Sequence, residues 1–160
     1  MERPPRGGLW TYNHAPAPQA VSRPPPGPAL TTDAVWIHRG RILLVRRGRP
    51  PFRGRWALPG GFVELEETVE AAVRRELFEE TGLRGRPAKL LGVYSGPDRD
   101  PRKPTTTVAY LIRGRPGPPR AGDDAAGAAW LRLEEVGPLA FDHDVIVRDA
   151  LRALGLRRSR

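Results

Sequence analysis

Apolar residues recur along this chain at two periods, and the change of period marks out its elements. β-Branched and apolar residues fill Thr31 to His38 and Arg41 to Arg46, which predicts two strands joined by a tight turn at Arg39-Gly40, together a hairpin. Arg46 and Arg47 end the second strand, so one of them points to the side of Leu44 and the other points away. From Val69 the period lengthens, and Val69, Ala72, Val73 and Leu77 make a helical stripe. Thr68 can cap that helix with its hydroxyl, Glu70 lies near the positive end of the dipole, and Gly82 can take the left-handed conformation that ends it. The helix is therefore expected from about Val69 to about Thr81, with Leu83 packing back.

Beyond it, Ala88 to Ser95 and Thr105 to Arg113 read as strands around a charged turn, Gly96 to Pro104. Residues 114–127 read as a flexible loop before a strand from Ala128 to Leu133, and Val145, Ile146, Ala150 and Leu154 give Asp142 to Leu154 an amphipathic helical pattern. Residues 1–30 hold eight prolines and read as an extended arm interrupted by Leu9-Trp10-Thr11-Tyr12. Residues 31–156 form the expected domain and 157–160 a basic tail. Strands, a central helix, more strands and a final helix predict a mixed α/β (α+β) sandwich.

Composition narrows this picture. The 160 residues suit one domain with a substantial core. Cysteine is absent, which excludes a disulfide framework and a thiolate metal site. No apolar run approaches the ~18 residues of a membrane span, and the proline-rich start lacks the apolar core of a secretory signal, so a soluble, cytoplasmic protein is expected. The net charge of +9 is uneven: residues 1–55 hold ten Lys/Arg against two acids, residues 61–83 two against seven, and residues 84–160 fifteen against nine. An acidic centre in a basic frame would attract polyphosphates and equally nucleic acid. Arginine outnumbers lysine 25 to 2 throughout, so the frame also reflects a compositional bias.

Glu76, Glu79 and Glu80 are spaced i, i+3, i+4, which brings their side chains to one face of the predicted helix. Their mutual repulsion costs roughly 0.2–0.5 kcal/mol per pair, and a bound divalent ion would reverse it. Hard oxygen ligands on a rigid element suit magnesium or manganese. A solvated acidic face pairing with Arg74 and Arg75 fits the same residues.

Gly61, Glu67, Arg75, Glu76, Leu77, Glu79, Glu80, Gly82 and Leu83 stand at the nine specified positions of the Nudix box, and the stretch resembles that family without departure. The resemblance implies an α/β/α sandwich with a mixed sheet and a hydrolase of nucleoside diphosphates linked to another moiety. It also implies Glu76, Glu79 and Glu80 as ligands of Mg2+ or Mn2+, Arg75 and Glu67 as their supports, and the carbonyl of Gly60 as a further ligand.

Gly92-Val93-Tyr94-Ser95 followed by Pro97-Asp98-Arg99-Asp100-Pro101-Arg102 resembles the members that cleave ADP-ribose to AMP and ribose 5-phosphate. In them a loop carboxylate outside the box serves as general base. Here Asp123 and Asp124 are the candidates, with Glu76 or Glu79 the alternative. Arg46 is the expected phosphate contact and Arg99 a further substrate-binding residue. Trp10 and Tyr12 are expected to hold an adenine, on an arm that in such relatives also helps to form a homodimer. Neither a membrane nor nucleic acid is an expected partner. Removal of pyrophosphate from a nucleoside triphosphate uses the same box. A ligand-sensing regulator is a third reading, disfavoured by the intact box and by the expectation that no residues remain after Arg160 for a further DNA-binding domain.

Overall fold

The computed structural model describes residues 26–156, so Trp10, Tyr12 and residues 157–160 lie outside the described residues. The chain runs through β1 (Ala29–Val35), β2 (Ile37–His38), β3 (Arg41–Arg47), β4 (Trp56–Ala57), β5 (Gly60–Phe62), α1 (Val69–Thr81), β6 (Gly85–Tyr94), β7 (Thr105–Gly114), β8 (Ala125–Arg132) and α2 (His143–Ala153). One sheet has the order β5-β1-β7-β6, and β1 runs parallel to β7 and antiparallel to β5. In the other, β3 pairs with β2 and β4 and, over its whole length, with β8.

Ile42-Leu43-Leu44-Val45 is apolar at every position because β3 is buried on both faces. Ile42 and Leu44 enter one apolar cluster and Leu43 another. The same alternation divides Val35 from Ala34 in β1, and Ala109 and Leu111 from Tyr110 and Ile112 in β7. Helix α2 closes the first cluster with Ile146, Val147, Ala150 and Leu151, and α1 closes the second with Val73 and Leu77. This is the expected α/β/α sandwich with mixed strand pairing. Full burial of Val73 and Leu77 stabilises the docking of α1 by roughly 1.5–3 kcal/mol each.

Three expectations change. The first predicted strand is divided at Trp36: only Ile37–His38 pairs back on β3 across Arg39 and Gly40, both at positive φ, whereas β1 crosses to the other sheet. The hairpin is therefore two residues deep on its first arm. Ala29 and Leu30, read as the end of the arm, belong to β1. Short strands β4 and β5 lie where the sequence showed only a Gly/Pro-rich approach to the box. No helix among the described residues is long and apolar enough to cross a membrane.

Candidate active site

Helix α1 begins and ends as its sequence requires. Thr68 Oγ1 accepts from Ala71 N–H at 3.1 Å, and Gly82, with φ 69°, donates its N–H to Phe78 O at 2.8 Å. Burial of Ala72, Val73 and Leu77 leaves Glu76 and Glu80 half-buried and Glu79 exposed. Arg75 is the hub between them. Its Nη2 donates to Glu67 Oε1 at 2.6 Å and to Phe62 O at 3.0 Å, its Nε donates to Glu67 Oε2 at 3.2 Å, and its Nη1 donates to Glu76 Oε1 at 2.8 Å and to Glu79 Oε2 at 3.2 Å. A planar fork can serve three carboxylates and a carbonyl at once, which a lysine cannot do. Arg74 stays exposed.

The glycines at the start of the box, Gly60 and Gly61, are required by close approach. A Cβ on Gly61 would lie 2.5 Å from the Glu76 carboxyl carbon. Gly60 N–H donates to Glu80 Oε2 at 2.9 Å. Burial pushes the Glu80 carboxyl up to about 8 against that hydrogen bond, and the negative Glu76 and Asp33 add to the shift. Burial also raises Glu76 although Arg75 opposes it, whereas the Arg75 hydrogen bond holds Glu67 below the usual range.

Glu76, Glu79 and Glu80 thus form an anionic cluster whose inner members lack full compensation, and their hard oxygens suit a divalent cation. As the side chains stand, no three acidic or imidazole groups among the described residues enclose an ion-sized site. Each of the three glutamates has one oxygen committed to Arg75 or to Gly60 N–H. Their donor chemistry fits magnesium or manganese, and ligation would draw on the remaining oxygens.

Facing this cluster is a cleft of about 260 Å³ that reaches Glu80 and is lined by Arg46, Arg47, Arg49 and Arg102. The register of β3 against β8 shifts between Arg46 and Arg47. This bulge sets aside the strict alternation expected of the pair, and both arginines line the cleft. Arg46 is exposed, with Nε donating to Gly54 O at 3.1 Å. Arg47 is less exposed: its Nε donates to Pro51 O at 2.7 Å and its guanidinium lies 4.8 Å from the centre of the Phe141 ring. Burial, then the neighbouring Arg102, pushes its pKa down.

Arg99 also reaches the cleft wall, but its fork is taken by Asp142, at 2.9 Å from Nε and 2.7 Å from Nη2. Arg102 is held by Asp100. Burial raises the Asp100 carboxyl, and the hydrogen bonds from Arg102 outweigh it, leaving it below the usual range. Sequence reasoning placed one of Arg46 and Arg47 towards the site and did not single out Arg102 or the buried Asp33; the bulge and the sheet crossing that bring these residues here have no local signature.

A second hollow, of about 400 Å³, also borders Glu80. It is lined by Glu76, Glu79, Asp123 and Asp124 and shares Glu80, Asp124 and Ala125 with the first. The loop that carries the aspartates was expected to be flexible, yet it is tied to the end of α1. Arg120 N–H donates to Thr81 O at 2.8 Å and Gly122 N–H to Glu80 O at 3.2 Å, satisfying carbonyls the helix leaves open. A Cβ on Gly122 would lie 2.0 Å from Glu79 O, so only glycine permits the contact. Asp123 and Asp124 are thereby brought beside the glutamates, and Asp124 pairs with Arg49 at 2.8 Å across the two rims.

The NUDIX domain model matches residues 28–153. The chain belongs to the Nudix hydrolase family. Among its Nudix relatives, an ADP-ribose pyrophosphatase of Methanocaldococcus jannaschii is 47% identical over 125 residues, covering 78% of this chain and 74% of that protein. An ADPR responsive transcriptional repressor of Acinetobacter baylyi is 33% identical over 81% of this chain but only 55% of its own length. The Nudix domain of Shewanella oneidensis NrtR, crystallised with ADP ribose, is 32% identical and superposes with a TM-score of 0.73 over 81% of this chain and 90% of that domain. The protein is an enzyme of this family, and the Nudix box is the acidic wall described above.

Proposed function

We propose that this Nudix enzyme hydrolyses the diphosphate of a nucleoside diphosphate joined to another moiety, with ADP-ribose the foremost substrate, giving AMP and ribose 5-phosphate. The observation that supports this most is the pair of hollows that share Glu80 in their walls. A diphosphate flanked by two bulky groups needs room on both sides of the reacting phosphorus, whereas a triphosphate needs it on one. The likeness to the Methanocaldococcus jannaschii enzyme points the same way.

Glu76, Glu79 and Glu80, with the Gly60 carbonyl, would hold Mg2+ or Mn2+. A divalent ion supplies charge neutralisation at the diphosphate and a more acidic attacking water. Arg75 and Glu67 keep the glutamates aligned. Arg47 and Arg46 hold non-bridging phosphoryl oxygens with charge-assisted hydrogen bonds. Asp123 or Asp124 accepts the proton of the water as its oxygen bonds to phosphorus, and the bridging oxygen leaves with the other phosphate. Arg99, spent on Asp142, orders the wall behind them. The same proposal places the enzyme in the cytoplasm as a homodimer in which Trp10 and Tyr12 contribute to the adenine pocket.

The test is a magnesium-supported screen of ADP-ribose, other nucleotide sugars, dinucleotides and nucleoside triphosphates. The highest kcat/KM is expected for ADP-ribose, and deletion of residues 1–20 should raise its KM far more than that of any triphosphate. A preference for triphosphates would overturn the substrate. The repressor relatives favour a second reading, a domain that binds ADP-ribose without cleaving it. Saturable binding with no turnover in the presence of magnesium or manganese would establish that reading instead.

A further inference from the structure

Along the cleft wall runs a buried polar chain of residues outside the Nudix box. Asp33, within β1 and lining the cleft, is 6% exposed. Its Oδ2 accepts from Thr107 Oγ1 at 2.7 Å and lies 3.9 Å from Arg99 Nη2, and its Oδ1 lies 3.5 Å from His143 Nε2. Arg99 continues the chain to Asp142, the residue before α2. His143, 5% exposed at the start of α2, accepts the Leu58 N–H at Nδ1 over 2.9 Å, which leaves its proton on Nε2, towards Asp33.

The chain ends on backbone that touches the box. Asp33 stands opposite Gly60 in the β1–β5 pairing, and a Cβ on Gly60 would lie 2.5 Å from Asp33 Oδ1. Gly60 in turn donates to Glu80. A single residue separates the amide that His143 holds from the amide that Glu80 holds, and that residue, Pro59, accepts from Ala34 N–H at 2.8 Å.

We propose that His143 and Asp33 are positioning residues that act through the Leu58–Gly60 backbone to set where Glu80 presents its carboxylate. Helix α2 and the 96–104 turn are thereby coupled to the acidic wall on α1. This reading of the residues rests on the proposed hydrolysis only for its kinetic consequence.

The decisive measurement is amide hydrogen exchange in the metal-free, nucleotide-free full-length protein. In His143→Ala, Leu58 N–H loses its acceptor and exchanges faster whatever the role of the histidine. The proposal requires Gly60 N–H to speed up as well, by about tenfold, the loss expected for one hydrogen bond of ordinary strength. It also requires His143→Asn, which offers an acceptor where Nδ1 stood, to restore Gly60 protection. Thr107→Val, nearly isosteric, should produce a smaller change in the same direction and serves if His143→Ala does not fold.

Binding of Mn2+ followed by calorimetry should weaken by about tenfold in His143→Ala. With ADP-ribose the loss should fall on kcat with KM nearly unchanged. Gly60 exchange unchanged in both His143→Ala and Thr107→Val overturns the coupling. A wild-type protein that does not cleave ADP-ribose overturns the substrate reading and leaves the exchange result to decide this one.

Discussion

The acidic and basic walls of the site are built in opposite ways. The carboxylates of Glu76, Glu79 and Glu80 all come from one helix, the first two aligned by Arg75 and the third by Gly60 N–H, so the wall is local in sequence and held at short range. The basic wall takes Arg46 and Arg47 from a bulged strand end, Arg49 from the loop after it and Arg102 from a turn about a third of the chain away. Each has a different anchor: a carbonyl, a ring face, or a carboxylate. A wall organised by one hub should fail as a unit. A wall of separately held cations should lose function in increments.

The largest effect is expected at Glu80. Glu80→Gln should keep the fold and lower turnover by at least about a hundredfold, roughly 3 kcal/mol of transition-state stabilisation. The same variant carries a sign test in stability. Folded Glu80 is raised to about 8, so its contribution is fully present below the usual glutamate range and is lost as pH rises towards 8 in the metal-free protein. Glu80→Gln should therefore gain on wild type across that window in thermal melts, and saturating magnesium should erase the difference by stabilising the ionised wild type. A flat difference against pH would remove the argument that Glu80 is an under-compensated anion.

Next in size are the loop aspartates. Asp123→Asn or Asp124→Asn should slow the single-turnover chemical step by about tenfold or more in one of the two variants. If neither slows, the base lies in the helix, at Glu76 or Glu79, and the acidic wall is more self-sufficient than proposed. For the basic wall, Arg47→Ala should raise the KM for ADP-ribose more than Arg46→Ala, since Arg47 is the less exposed and loses a better-insulated charge. Equal effects would make the wall a diffuse field and not a set of distinct contacts. The smallest effect is expected for Arg49→Ala. Its pair with Asp124 has side chains 77% and 74% exposed, so melting should move by no more than the ~0–1 kcal/mol typical of surface pairs.

Helix α1 was legible to the residue. Its apolar stripe, the Thr68 cap and the Gly82 stop are all local, and hydrogen bonds that span four residues or fewer do not depend on the rest of the chain to be formed. The same locality made the convergence of Glu76, Glu79 and Glu80 readable, and the fixed spacing around them was enough for the family. Helix α2 and the long strands β6 and β7 followed from periodicity with ends displaced by one to three residues. Sequence reading lost its hold where pairing replaced periodicity. Residues Thr31 to His38 look like one strand, and only competition between two partners divides them at Trp36.

By itself, then, the sequence determined the carboxylate helix, its caps and the chemical character of the site, because turn-length hydrogen bonds and side-chain spacing are set by neighbours along the chain. Tertiary structure alone decided which arginines face those carboxylates, that the Asp123–Asp124 loop seals onto the end of α1, and that Asp33, Thr107, Arg99, Asp142 and His143 meet in one buried chain. Those contacts join residues up to 110 positions apart, as between Asp33 and His143. Their geometry depends on a bulge, a strand crossing and the docking of α2, each stabilised by burial summed over the whole core and by no short stretch of residues.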